Sequence, residues 1–174
     1  TEEGGATLIA CGSTETVLGE VQRSFADALG VACRMLEDRR LLAGGGATHV
    51  ALARSLRRFA ESIPGREQLG AEAFADALEV IPRVLAENAG LDPIDTLLQL
   101  VAAQVNGGVD SHQLGLDLLN RRPANMIENG VLVPYLIARQ SIAGATEAAI
   151  SILRIDDVLW AKQDPTMAEV PEME

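Results

Sequence analysis

Residues 41–56, LLAGGGATHVALARSL, place three consecutive glycines between an apolar run and a segment with helical periodicity. Consecutive glycines lower the stability of regular structure, because glycine loses more conformational freedom on folding than any other residue. The stretch therefore predicts a turn in which side chains do not fit. Two explanations remain open, a tight connection between elements or a loop whose backbone approaches a bound nucleotide. A P-loop is not predicted, since no Lys–Ser or Lys–Thr pair follows the glycines.

The composition of the 174-residue chain is typical of a globular, mainly α protein. Hydrophobic residues make up 48% of it and aromatic residues only 3%, so the core must consist of aliphatic side chains, which favours packed helices. The net charge of −11 disfavours a nucleic-acid partner, because phosphate binding needs a basic surface. No apolar run reaches the roughly 18 residues of a membrane span, so no membrane association is predicted.

The cysteines and histidines of the chain do not form a recognisable metal or catalytic pattern. Cys11 and Cys33 lie in no CxxC or Cys/His cluster, and His49 and His112 have no partner at metal or triad spacing. We therefore predict no metal site from these residues and interpret both histidines as surface or turn residues. Two isolated cysteines favour a reducing, cytoplasmic setting.

Apolar spacing predicts a series of helices with small β elements. Residues 6–11, ATLIAC, are expected to form a short strand, and a further β element is expected near residues 114–118. Asp92 is the expected N-cap of one of the later helices. The helices are expected at about residues 15–38, 46–61, 66–79, 82–89, 93–105 and 134–161, and residues 163–174 are expected to be disordered.

Three groups of residues could carry chemistry. Asp27 with the glycine turn suggests a nucleotide site, although a tight turn explains the glycines equally simply. Asp117, beside a glycine in GLDL, is more often a turn residue than a ligand. Asp156 and Asp157 point about 100° apart if they lie on a helix, so they are poorly placed as an acid–base pair.

Several segments together resemble the C-terminal part of a group II chaperonin subunit, the archaeal thermosome and eukaryotic cytosolic type. They are GGGA at 44–47, GREQLGAEAFADALEVIPRVLAENAGLDPID at 65–95, GLDL at 115–118 and GATEAAISILRIDD at 144–157. Residues 6–38 also resemble the returning segment of that family's intermediate domain. The resemblance implies an intermediate-domain-like strand and long helix at 1–43, an equatorial-like helical bundle at 44–162, and a tail at 163–174.

The resemblance also implies a site for ATP or ADP with Mg²⁺. Gly44, Gly45 and Gly46 would lie under the adenosine, and Asp27 would orient the water that attacks the γ-phosphate. Asp117 and Leu118 would contact the base.

The chain departs from the family pattern at several positions. Neither the family's GDGTTT phosphate loop, with its magnesium-binding aspartate, nor the apical domain is found in the sequence. Val133 stands where the family usually has a carboxylate that grips the ribose, and Arg39 replaces a glycine. We therefore expect no ATPase activity from this chain alone.

Two hypotheses follow from the resemblance. The chain is a piece of an ATP-dependent chaperonin that folds unfolded proteins within a ring, or it is a chaperonin-derived assembly module without catalysis. In either case we expect a homo-oligomer or association with other chaperonin subunits, because a partial helical bundle leaves apolar faces uncovered. An unrelated helical binding module is disfavoured by the long match at 65–95.

Overall fold

The structure, a computed structural model, describes residues 4–157. The chain divides into two compact units, Thr1–Ala138 and Arg139–Glu174. The predicted tail at 163–174 lies outside the described residues, and the predicted division into intermediate-like and equatorial-like parts stays a prediction.

Helices dominate the described residues, which confirms the predicted mainly α class. A 3₁₀ turn, Ser111–Gln113, precedes the second strand. The elements are α1 Glu15–Glu37, β1 Leu41–Ala43, α2 Ala47–Ala60, α3 Glu67–Asn88, α4 Pro93–Asn106, β2 Leu114–Asp117, β3 Arg122–Asn125, β4 Leu132–Pro134 and α5 Tyr135–Leu153.

The strands form two small antiparallel pairs. β1 pairs with β4, where Leu42 lies opposite Val133. β2 pairs with β3 as a hairpin, where Leu116 lies opposite Pro123. The β element expected near 114–118 is thus confirmed as β2. Strands β1, β3 and β4 were not predicted, because strands of three or four residues give no clear alternating pattern.

The prediction of a strand at residues 6–11 is wrong, because this segment has no regular structure. Its residues are exposed, and neither β pair of the described chain includes it. A strand needs hydrogen bonds to a neighbouring strand, so a β-prone sequence without a partner remains irregular.

The prediction of a helix break at Pro82 is also wrong, since α3 runs continuously through it. Proline removes one helical hydrogen bond and crowds the preceding turn. Pro82 is nevertheless buried, and it packs against Gly46, where an added Cβ would lie 2.8 Å from the proline Cβ. The proline therefore fits because the facing residue has no side chain.

Helix α5 ends at Leu153, earlier than the predicted end near residue 161. Its last backbone bonds run from Arg154 to Ile150 and from Ile155 to Ile152, so the spacing tightens as it does at many helix ends. Residues 158–161 of the predicted helix lie outside the described residues.

The core lies where α2, α3 and α4 meet strand β2. Val50, Ala86, Leu97, Leu100 and Leu116 form its main cluster, and all are buried. Most of these side chains are aliphatic and small or medium in size, as the low aromatic content requires. The core therefore places the start of α2 and the glycine turn before it against α3 and β2.

An ion cluster reinforces the contact between α2 and α3. Arg57 of α2 forms a salt bridge with Glu79 of α3, whose side chain is only 4% exposed, and a second with Asp76 at 2.7 Å. Arg83 lies 3.5 Å from the Glu79 carboxylate. These hydrogen bonds raise the pKa of the Arg57 guanidinium and keep the buried carboxylate paired.

Among residues 4–157, none of the helices combines the length and apolar character needed to cross a bilayer.

Candidate functional site

The glycine turn connects β1 to α2 and adopts a backbone that favours glycine. Gly45 and Gly46 have φ angles of 59° and 77°, in the left-handed region. A residue with a Cβ is strained there, by about 1–2 kcal/mol. The turn type alone therefore accounts for two of the three glycines.

Close packing within the chain accounts for the absence of side chains at all three positions. A Cβ at Gly45 would lie 2.9 Å from the Leu116 carbonyl oxygen, and one at Gly44 would lie 2.8 Å from Val131 Cγ1. Gly46 faces Pro82 of α3. The tight-turn explanation is therefore sufficient for the glycine motif, and a ligand is not needed to explain it.

Backbone hydrogen bonds hold the turn in place. The Gly44 amide donates to the Val131 carbonyl oxygen at 2.9 Å, and the Leu116 amide donates to the Gly45 carbonyl oxygen at 2.8 Å. The Thr48 hydroxyl donates to the Ala43 carbonyl oxygen at 2.9 Å. The turn is thus tied to β2, to the segment before β4 and to the first turn of α2.

A cavity of about 170 Å³ lies beside the glycines. Its walls are mostly apolar, and Thr48 and His49 are the polar side chains among the lining residues. Val133 contributes to the wall, so the position that the resemblance associates with ribose binding does lie at the glycine turn. The lining residues are Leu42, Ala43, Gly44, Gly45, Gly46, Thr48, His49, Ile81, Leu85, Val133 and Ala138.

His49 is a potential site residue that was not identified from the sequence. The structure places it in the first turn of α2, half-buried, rather than on the surface or in a turn as predicted. Burial lowers the pKa of its imidazole, which therefore is neutral at pH 7. The sequence held one signal for this placement. His49 follows Gly46 by three residues, which is about one helical turn, so its side chain can lie on the same side of α2 as the glycine turn.

Asp117 and Leu118 lie in the β2–β3 hairpin and do not line the cavity. The Asp117 carboxylate accepts hydrogen bonds from the backbone amides of Leu119 and Asn120, at 3.0 Å each. It also accepts one from the Asn120 side chain at 2.7 Å. The bonds from Asn120 are the main cause that lowers the pKa of Asp117. The arrangement is that of a turn-stabilising aspartate.

Asp27 lies on α1, is exposed and is not among the residues that line the cavity. Helix α1 has no buried residue, and it joins β1 through a short segment organised by Arg40. The Arg40 side chain pairs with Asp38 at 2.7 Å and lies 4.0 Å above the ring of Tyr135. Of the predicted site residues, only the three glycines line the cavity, while Asp117 follows Leu116, whose amide bonds to Gly45.

The cavity suits the uncharged end of a nucleotide but not its charged end. Glycine backbone and aliphatic side chains can contact a flat base or a sugar. Among the described residues that line the cavity, no Lys, Arg, Asp or Glu is found, and His49 is the one titratable side chain. Within residues 4–157, no group of three His, Cys, Asp or Glu residues could hold a metal ion. The lining residues thus offer aliphatic and glycine-backbone contacts, and no lysine, arginine or carboxylate side chain among them could pair with a charged group.

Comparison with known proteins identifies relatives over nearly the whole chain. The model of the TCP-1/cpn60 chaperonin family matches residues 1–163. Thermosome subunits of Methanocaldococcus jannaschii and Methanopyrus kandleri are 52% and 51% identical over 157 residues, 90% of this chain. These residues correspond to only 29% and 28% of the two relatives, so the chain spans less than a third of their length.

A solved structure gives the same result for the fold. The open-state monomer of a group II chaperonin from Methanococcoides burtonii superposes with a TM-score of 0.69 at 42% identity. The match covers 83% of this chain and 35% of that one. The chain therefore belongs to the TCP-1/cpn60 chaperonin family, and its relatives are of the group II, thermosome type.

Proposed function

We propose that this chain works in protein folding as part of an ATP-dependent group II chaperonin, and that the cavity beside Gly44, Gly45 and Gly46 holds the nucleoside end of ATP or ADP. Family membership over most of the chain supports the first part of the proposal. The observation that carries the second part is the apolar cavity that the glycine backbone and Val133 line together. A cytoplasmic location belongs to the same proposal, since Cys11 and Cys33 are free, exposed thiols.

Each proposed site residue has its own role, although Asp27, Asp117 and Leu118 do not line the cavity. The glycine turn and Val133 form a wall that excludes water from one face of the nucleoside. Asp27 is the proposed water-orienting carboxylate, and it would act only when movement of α1 brings it to the site. Asp117 and Leu118 are the proposed base contacts. ATP, when bound, would supply the phosphoryl group that is transferred, and Mg²⁺ would offset the charge of its phosphates.

Calorimetric titration of the purified chain with Mg–ATP and with Mg–ADP tests the nucleotide site. Substitution of Gly45 is unsuitable as a blocking variant, because any side chain there collides with Leu116 whether or not a ligand binds. Ile81→Trp is better suited, since Ile81 lines the cavity from α3 and is 40% exposed. Val80→Trp is the matched control, because Val80 is on the same helix, is 47% exposed and does not line the cavity.

We expect the wild type and Val80→Trp to bind nucleotide and Ile81→Trp to lose binding. Equal binding by all three proteins would place the nucleotide elsewhere. Absence of heat in the wild type up to about 1 mM nucleotide, which corresponds to about −4 kcal/mol, would overturn the proposed nucleotide site.

A second candidate function, an assembly module, is favoured by the surface of α1. Val17, Val21, Phe25 and Leu29 follow one another at four-residue spacing, so they share one face of the helix. They are 40–54% exposed, which is unusual for an apolar stripe in an isolated protein. This face would bind a second copy of the chain or another chaperonin subunit.

Sedimentation velocity tests the assembly role. If α1 mediates association, the wild type sediments as an oligomer at micromolar concentration and Phe25→Asp sediments as a monomer. Arg23→Gln, on α1 with a largely exposed side chain, is the control and should leave association unchanged. A monomeric wild type would rule out self-association through α1.

A further inference from the structure

We propose that His49 determines which ligand the glycine cavity accepts, through a hydrogen bond between its imidazole and a polar atom of an uncharged nucleoside. This inference rests on the proposed nucleotide site and adds to it a residue that selects the ligand.

Among the side chains of the cavity wall, the His49 imidazole has a donor and an acceptor that are both unused. The Thr48 hydroxyl already donates to Ala43, the Gly44 amide to Val131, and the Gly45 carbonyl oxygen already accepts from Leu116. Within residues 4–157, the His49 imidazole makes no side-chain hydrogen bond. The ring nitrogens of this half-buried imidazole remain open to water, which a ligand can replace. His49 can therefore both donate to and accept from a ligand, whereas the Thr48 hydroxyl can only accept.

The charge of the wall selects for an uncharged ligand group. β1, α2, α3, β4 and the first residues of α5 contribute the lining side chains, and none of them except His49 is titratable. The neutral imidazole offers one donor and one acceptor. A phosphate would lose its hydration against the aliphatic walls without gaining a cationic partner. The amino group of a base or a ribose hydroxyl, by contrast, can donate a hydrogen bond to the unprotonated ring nitrogen.

The size of the cavity points to the same ligand class. At about 170 Å³ it is smaller than the roughly 300–1,000 Å³ of sites that enclose a whole drug-sized ligand. It can therefore enclose one ring system, with the rest of the molecule outside. Adenosine, which has a base and a sugar but no phosphate, is the simplest probe of this chemistry.

Titration of the chain with adenosine, followed by calorimetry and by NMR of the histidine ring protons, tests the inference. We expect the His49 ring signals to shift on binding and His49→Ala to weaken binding by roughly 3- to 10-fold, the value of one hydrogen bond. His49→Gln keeps a donor and an acceptor and should recover part of the affinity. His112→Ala is the control, since His112 lies outside this cavity.

A pH series adds a readout that a purely structural role of His49 would not change. Protonation removes the acceptor of the imidazole, so wild-type affinity should fall between pH 8 and pH 5.5, whereas the affinity of His49→Gln should not. Circular dichroism at each pH verifies folding. If His49→Ala does not fold, His49→Gln and the pH series still decide the question.

The outcomes separate this inference from the proposal on which it rests. Wild-type affinity that His49→Ala and pH leave unchanged overturns the role of His49 and leaves the nucleotide site standing. Binding of Mg–ATP without binding of adenosine has the same meaning. Failure of the wild type to bind either compound overturns the nucleotide site itself.

Discussion

Substitution of Gly45 by alanine distinguishes a glycine turn required by the fold from one reserved for a ligand. The added methyl group would lie 2.9 Å from the Leu116 carbonyl oxygen and 2.7 Å from Met126 Sδ. The methionine side chain can move. The Leu116 backbone belongs to the β2–β3 hairpin, so its movement would disturb the pairing of the two strands. We therefore expect Gly45→Ala to destabilise the chain even when no ligand is present.

The expected loss has two parts. The left-handed φ of 59° costs a non-glycine residue about 1–2 kcal/mol. Overpacking against a fixed backbone costs about 1–3 kcal/mol more. The total of about 2–5 kcal/mol is a large part of the 5–15 kcal/mol that typically stabilises a domain.

Gly90→Ala is the matched control for the first part. Gly90 has a φ of 69°, but an added Cβ would meet no atom within 4 Å. It should therefore lose only the conformational part, about 1–2 kcal/mol. The difference between the two variants isolates the packing contribution.

Urea unfolding monitored by circular dichroism measures both variants, with the slope of the transition checked for a constant value. We expect Gly45→Ala to unfold at a clearly lower urea concentration than Gly90→Ala. Equal urea midpoints for the two variants would refute the packing explanation. The absence of a side chain at Gly45 would then be explained by a ligand.

Three further predictions concern stability. Asp92 accepts hydrogen bonds from two amides at the start of α4, so Asp92→Ala should lose about 1 kcal/mol in urea unfolding and Asp92→Asn much less. Arg57→Ala leaves the buried Glu79 carboxylate with Arg83 as its partner. We expect the free energy of unfolding to fall by about 2–3 kcal/mol. This loss is below the usual range for buried pairs because the Arg57 side chain is 39% exposed. Equal stability of wild type and Arg57→Ala would show that the pair contributes little. Hydrogen bonds lower the pKa of Asp117 in the folded state. The ionised carboxylate therefore stabilises the fold above the ordinary aspartate pKa of about 3.9, and this stabilisation is lost as the pH falls below about 3.9. Asp117→Asn should therefore lose less stability than the wild type between about pH 4 and pH 2 in acid titrations followed by circular dichroism, and an identical loss would contradict this.

Local signals in the sequence were sufficient for most of the helices. The spacing of Val17, Val21 and Phe25 predicts α1, and the Asp92–Pro93 pair predicts the start of α4, because caps and apolar periodicity act within one or two turns. The same reasoning failed at Pro82, where the decisive contact is with Gly46, about 36 residues away in the chain.

The candidate site was predictable only in part. The glycine motif indicated a special turn, and the family resemblance indicated that Val133 lies near it. The contribution of His49 to the cavity wall was missed, because its burial depends on α3 and β4, which pack beside the first turn of α2 only in the folded chain. The hydrogen bonds of Asp117 with two following amides are those that its local sequence indicated, whereas its contact with a base stays a prediction.

The sequence by itself determined the helical class, the bounds of most helices and membership of the chaperonin family, because each depends on local patterns or on direct similarity. Only the tertiary structure decided why the turn has three glycines and which residues surround the cavity. Those answers depend on contacts between residues distant in the chain, such as Gly45 with Leu116 and Gly46 with Pro82. A Cβ is excluded by what lies opposite it, and the sequence does not state which residues lie opposite one another.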